Sequence, residues 1–83
     1  MSVEVGKIYM ENIYDNLTDK FYQKFYNILS KDNLYINFIC YSTLHKDSYM
    51  LKVSKNSGLF KRVTKIDSPT IHQIFQEIKI ELL

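Results

Sequence analysis

Few side chains in this sequence are of the kinds that do covalent chemistry, and they stand apart. Cys40 is the single cysteine; the two histidines, His45 and His72, lie on a polar turn and near the start of a C-terminal helical pattern. No local spacing pairs either histidine with the thiol. Cys40 alternates with Leu34, Ile36 and Phe38, which makes it a small core residue of a strand and inert when buried. Glu77 and Glu81 are four residues apart on one helix face and could act as acid and base or hold a metal. With no further carboxylate or histidine at ligand spacing they read as a solvated edge. One cysteine and two distant histidines are too few soft ligands for zinc. Gly6 and Gly58 are isolated, so no glycine-rich phosphate loop exists. The sequence predicts a protein that is not an enzyme and has no metal or cofactor site.

Charge is more informative. The net charge is +2, but it is unevenly spread. Residues 46–65 carry Lys46, Lys52, Lys55, Lys61, Arg62 and Lys65 against Asp47 alone, a local net of +5, while residues 1–45 and 66–83 are both net acidic. Basic charge beside Phe60 is the combination that holds phosphate and stacks on a base. The same charges on an edge strand discourage pairing with other chains.

The elements that must position these groups follow from the rest of the pattern. Eighty-three residues, 46% hydrophobic and 24% charged, make one small globular domain over 1–83, near the size at which a single core is marginally stabilising. Only two Gly and one Pro interrupt it, which predicts regular elements joined by short turns. No run of about 18 apolar residues occurs. The opening residues lack the basic-then-apolar order of a signal peptide, and a lone cysteine suits a reducing compartment. A cytoplasmic protein without membrane contact is expected.

From about Lys7 to Ser30, Met10, Tyr14, Leu17, Phe21, Phe25 and Ile28 recur at steps of three or four. That spacing predicts an amphipathic helix, bent or broken in two at Asp15–Asp19. Leu34–Tyr41 reads as a strand apolar on both faces, hence central, and Tyr49–Lys55 as a second strand. Asn56-Ser57-Gly58 then turns the chain, Gly58 being free to take positive φ, and Leu59–Ile66 returns as a third strand. Ser68-Pro69 announces the last helix, with Ser as N-cap and Pro in its first turn. Ile71, Ile74, Phe75, Ile78 and Leu82 form its stripe. The expected fold is α+β, in the order α-β-β-β-α: a three-stranded antiparallel sheet with both helices packed on one face.

If Lys55 pairs with Leu59 across the turn, Lys52 faces Arg62 and Ser54 faces Phe60, gathering the basic groups and the aromatic on one side of a hairpin. A one-residue slip reverses that arrangement. Lys52, Lys55, Phe60, Lys61, Arg62 and Lys65 are therefore the predicted contacts of the hairpin. A second set is aromatic. Tyr22 and Tyr26 flank the stripe of the first helix, and Tyr35 and Tyr41 lie on the outer face of the first strand. Tyr is enriched in interface cores because it adds large area at little rotamer cost.

The expected element order is shared by double-stranded-RNA-binding domains, whose signatures include a Gly-Pro-x-His loop and a lysine cluster opening the last helix. Here Thr43-Leu-His-Lys-Asp-Ser48 has His45 but no Gly-Pro, and Ser68-Pro-Thr-Ile-His-Gln73 has no lysine, so the resemblance is one of topology. The chain also resembles, in general character, the small inhibitors of phages and mobile elements, including anti-CRISPR proteins. The function expected is a binding module that occludes a protein target bearing an acidic or phosphate-binding surface. Nucleic-acid binding through residues 46–65 and homodimerisation through the aromatic face are the alternatives.

Overall fold

The structure, a computed structural model, describes residues 3–82. Where the spacing predicts a first helix, the chain forms a long antiparallel hairpin. Strand β1 is Ile8–Asp15 and β2 is Lys20–Lys31, paired from Ile8↔Asn27 to Asp15↔Lys20. The Asp15–Lys20 turn closes on local polar chemistry. The Asp15 carboxylate accepts from Leu17 N at 3.2 Å and Thr18 Oγ1 at 2.7 Å. Asp19, at φ +57, takes the left-handed conformation that Asp tolerates better than most residues.

The physical reason for the error in the expected first helix lies in the pairs Phe21-Tyr22 and Phe25-Tyr26. In a strand, neighbours point to opposite faces, so an alternation of apolar and polar residues appears only if one face is wet. Both faces of β2 are covered, Phe25 on one side and Tyr26 on the other, both buried. The period of two is erased, and the residual spacing of four imitates a helix. The aromatic and β-branched content of the segment favours a strand.

Strand β3 is Tyr35–Ser42 and β4 is Ser48–Ser54, close to their expected places. The expected third strand is corrected too. Leu59–Arg62 is a short 3₁₀ helix, and only Thr64–Ile66 is a strand, β5. It pairs with β1 rather than with β4, so no hairpin joins residues 49–55 to 59–66, and the sheet order is β4-β3-β2-β1-β5. Gly58 sits at φ −82 before the 3₁₀ turn and does not use positive φ. The chain leaves β4, crosses one face of the sheet and lands on the far edge. A hairpin return would have laid Phe60 along an exposed edge; the crossover buries it, with Val63, against Tyr26, Phe38 and Ile36. Apolar burial outside the local sequence decides the path.

The opposite face takes the only α-helix among the described residues, α1, Pro69–Leu82. Ile71 N donates to Ser68 Oγ at 3.4 Å, the predicted cap. Phe75 and Ile78 pack on Ile8, Phe25 and Ile39, while Leu82 stays exposed. The described residues thus form an α+β fold with five strands and one α-helix, not three strands and two helices, and the sheet is covered on both faces instead of one. The likeness in element order to double-stranded-RNA-binding domains goes with it. No helix among the described residues is long and apolar enough to cross a membrane.

The crossover face holds Tyr26, 3% exposed, whose hydroxyl donates to Glu11 Oε1 at 2.9 Å. Burial first, and that hydrogen bond second, push its phenol above the ordinary tyrosine range. The unfolded phenol loses its proton near pH 10, while the folded one keeps it. Tyr26 therefore contributes stability that is present below about pH 10 and lost as pH rises toward the folded value, at no more than about 1.4 kcal/mol per pH unit. Urea unfolding between pH 8 and 11 (roughly bracketing the unperturbed value) should fall more steeply for the wild type than for Tyr26→Phe. Parallel profiles would contradict this account.

Candidate functional site

The predicted contact residues are dispersed by the fold. Register and alternation put Tyr22, Tyr26, Ile36, Phe38, Cys40, Tyr49, Leu51 and Val53 on the crossover face, and Met10, Phe25, Tyr35, Ile39, Tyr41, Met50 and Lys52 on the helix face. Lys52, Arg62 and Phe60 do not share a face. Lys52 lies across from Asn37, with its amine 4.4 Å from the centre of the Tyr35 ring, a cation–π contact on the helix face. Arg62 is exposed on the 3₁₀ turn. Lys65 is paired to Glu4 at 3.0 Å; the lysine beside it lowers the Glu4 carboxyl and the carboxylate raises Lys65.

The tyrosines separate in the same way. Tyr26 is core, in edge contact with Phe38 and Phe60. Tyr41 stacks on Phe25 at 6.5 Å at the margin of the helix, Tyr35 takes Lys52, and Tyr22 meets His45 at 6.3 Å. They form no single aromatic surface. Cys40 is buried, and that burial pushes its thiol up, which disfavours the nucleophilic thiolate. Among the described residues, no three His, Cys, Asp or Glu side chains cluster as a metal site.

Two surfaces remain, at opposite ends of the sheet. The first does bring together Lys55, Phe60 and Lys61 of the predicted set. They line a groove where β4 exits, about 170 Å³, that shares Ile36, Lys55 and Asn56 with a larger cleft of about 580 Å³ under the β2–β3 turn. Phe60 is a wall of this groove and no platform, being 6% exposed. Lys31 joins from the end of β2, its Nζ held by the Val3 carbonyl at 2.9 Å. Among the described residues, the lining contains lysine, asparagine, serine and apolar side chains but no carboxylate. Among the described residues, no acid lies within ion-pair distance of Lys31, Lys55 or Lys61.

The second surface was not anticipated. At the end where the β1–β2 and β3–β4 turns meet, Leu17 is 95% and Phe21 68% exposed, with Tyr14 and Leu44 also in solvent. Tyr14 and Phe21 are direct cross-strand partners with rings 5.3 Å apart in an edge arrangement. The Tyr14 hydroxyl also bonds the Asp19 carboxylate, which orients the ring over the turn. Thr43 N donates to Gln23 O at 3.0 Å, and Gln23 N to Thr43 Oγ1 at 3.0 Å, so the Leu44 turn is tied to β2. Phe21 and Leu44 accordingly wall one cleft of about 310 Å³. Read as helix, Tyr14, Leu17 and Phe21 looked like core. The available signal was Leu17 itself, an apolar side chain in the middle of the polar turn Asp15-Asn-Leu-Thr-Asp19. Comparison of the chain with family models, with curated proteins and with solved structures finds no match.

Proposed function

We propose that this chain is a non-enzymatic binding module that docks on a protein partner through the Tyr14–Leu17–Phe21–Leu44 end of its sheet and acts by occluding the surface it covers. The observation that carries the reading is the exposure of Leu17, in the β1–β2 turn, and of Phe21, next to that turn on β2. Aromatic and aliphatic side chains held on a rigid hairpin are the anchors around which interface energy concentrates. Tyr14 stiffens the cluster at little entropic cost. An inhibitor of the phage or mobile-element type is one protein of this kind. Affinity capture from source or host lysate, run in parallel with the wild type and with Leu17→Ser/Phe21→Ser, tests the reading. A stoichiometric protein partner retained by the wild type and lost by the variant supports it; recovery of nucleic acid alone counts against it.

The groove favours a second reading, contact with a nucleic-acid backbone. Lys31, Lys55 and Lys61 line a channel with no carboxylate among the described residues, and lysines so placed hold phosphates. On this reading, affinity for generic RNA or DNA falls steeply with salt, and Lys55→Glu/Lys61→Glu lowers it at every sequence tested while reducing the salt slope by about 2. Fluorescence anisotropy at two salt concentrations measures both. Binding that is weak at low salt and indifferent to the substitutions would remove nucleic acid from consideration.

A further inference from the structure

β4 is an edge strand that lacks the usual protections. Among the described residues it pairs only with β3, in a register unbroken by any bulge from Tyr35↔Ser54 to Tyr41↔Ser48, and it contains no proline. Edge strands are commonly blunted by bulges, prolines or outward lysines. Its one charged residue, Lys52, folds back over Tyr35 of its own sheet. Met50 and Leu51 are 47% and 44% exposed, on opposite faces.

The outward backbone groups can be assigned. Lys55 N donates to Leu34 O, and Asp47 O accepts from Ser42 N, so the odd-numbered residues of this strand direct their N–H and C=O groups at β3. The even-numbered residues, Ser48, Met50, Lys52 and Ser54, direct theirs outward.

We infer that the β4 edge is a self-association surface, on which a second copy of this chain pairs antiparallel about a twofold axis at Leu51. The strand Ser48-Tyr-Met-Leu-Lys-Val-Ser54 has Leu51 at its centre and a serine at each end. In this register Met50 faces the second copy's Lys52, and Ser48 faces its Ser54. These are the outward-pointing residues, so each such pair exchanges two backbone hydrogen bonds. Leu51 meets Leu51, and Tyr49 meets Val53, in the closely spaced pairs between them. All of these lie on the crossover face, where Tyr49 and Val53 already border the core. A twofold at Lys52 would set the two lysines directly opposite, a like-charge pairing that costs stability. A twofold at Met50 would leave Val53 and Ser54 without strand partners. The Leu51 register is the one that pairs the whole strand, and such an interface is isologous and closed. It joins the two five-stranded sheets edge to edge.

The register makes a signed prediction. Met50→Lys places lysine opposite lysine twice across the axis and should weaken the dimer roughly tenfold, while Met50→Glu places a carboxylate opposite Lys52 twice and should tighten it severalfold at low salt. Met50→Lys/Lys52→Glu restores complementarity and should recover most of the wild-type affinity. Circular dichroism confirms that each variant is folded, and sedimentation equilibrium reads the dimer constant. Opposite shifts for Lys and Glu, with recovery in the double variant, establish the register. A wild type that stays monomeric to millimolar concentration, or two substitutions that shift it in the same direction, overturns the proposal. Leu17→Ser/Phe21→Ser should leave self-association unchanged, which separates this edge from the docking end.

Discussion

Replacing Phe60 with alanine is expected to cost about 3–5 kcal/mol of stability. The ring is 6% exposed and makes edge contacts with Tyr26 at 5.6 Å and Phe38 at 5.4 Å. Aromatic pairs of this geometry contribute beyond the area they bury. Phe60 is also the buried residue of the 3₁₀ turn, so it anchors the crossover to the sheet. A domain of this size has of order 5–15 kcal/mol in total, and the loss translates into a fall in melting temperature of roughly 12–40 °C. Thermal unfolding followed by circular dichroism measures it. Lys61→Ala and Arg62→Ala, exposed on the same turn, should stay within about 0.5 kcal/mol of the wild type. A Phe60→Ala protein that melts with the wild type would mean that the ring is a surface contact, as the hairpin expected from the sequence would have made it.

The second large effect has the opposite signature. Leu17→Ser/Phe21→Ser removes two side chains that solvent already reaches, so stability should change by no more than about 1 kcal/mol for the pair. Affinity for the protein partner should fall at least about 30-fold, the loss expected when an interface anchor contributing about 2 kcal/mol is truncated. Surface plasmon resonance with the captured partner gives the number, and most of the change should appear in the dissociation rate. Unchanged affinity would move the docking surface away from this end of the sheet. Both variants ask where an aromatic ring belongs, and the fold exchanges the roles expected from the sequence. Phe60, expected at the surface, is in the core; Phe21, expected in the core, is at the surface.

That exchange shows which parts were legible. Lys55 and Lys61 were identified from charge density alone, and they do line one groove. Lys31 could not be found that way, because it reaches the groove from β2, on the far side of the β2–β3 turn. Lys52 and Lys65 were counted with them because they are near in sequence. A strand face and a pairing with Glu4 carry them elsewhere. The edge of β4 could be seen only once β5 was found on the other side of the sheet, since a hairpin return would have covered it.

Local order was enough where a structural signal is itself local. The strand around Ile36–Cys40 follows from β-branched and aromatic content, and that around Tyr49–Val53 from side-chain alternation. The start of α1 follows from a hydroxyl cap and a proline that needs no donor, and the place of Cys40 follows from its neighbours on one strand face. Tertiary structure decided the rest: that Ile8–Lys31 is a hairpin, that the chain crosses the sheet after β4, and which aromatics are dry. Propensity differences between helix and strand are a few tenths of a kcal/mol per residue, whereas burying one large apolar side chain contributes roughly 1.5–3 kcal/mol. With the crossover covering one face of the sheet and α1 the other, Phe25 and Tyr26 of β2 are buried on opposite sides. Those contacts, distant in sequence, outweigh the period that the segment displays by itself.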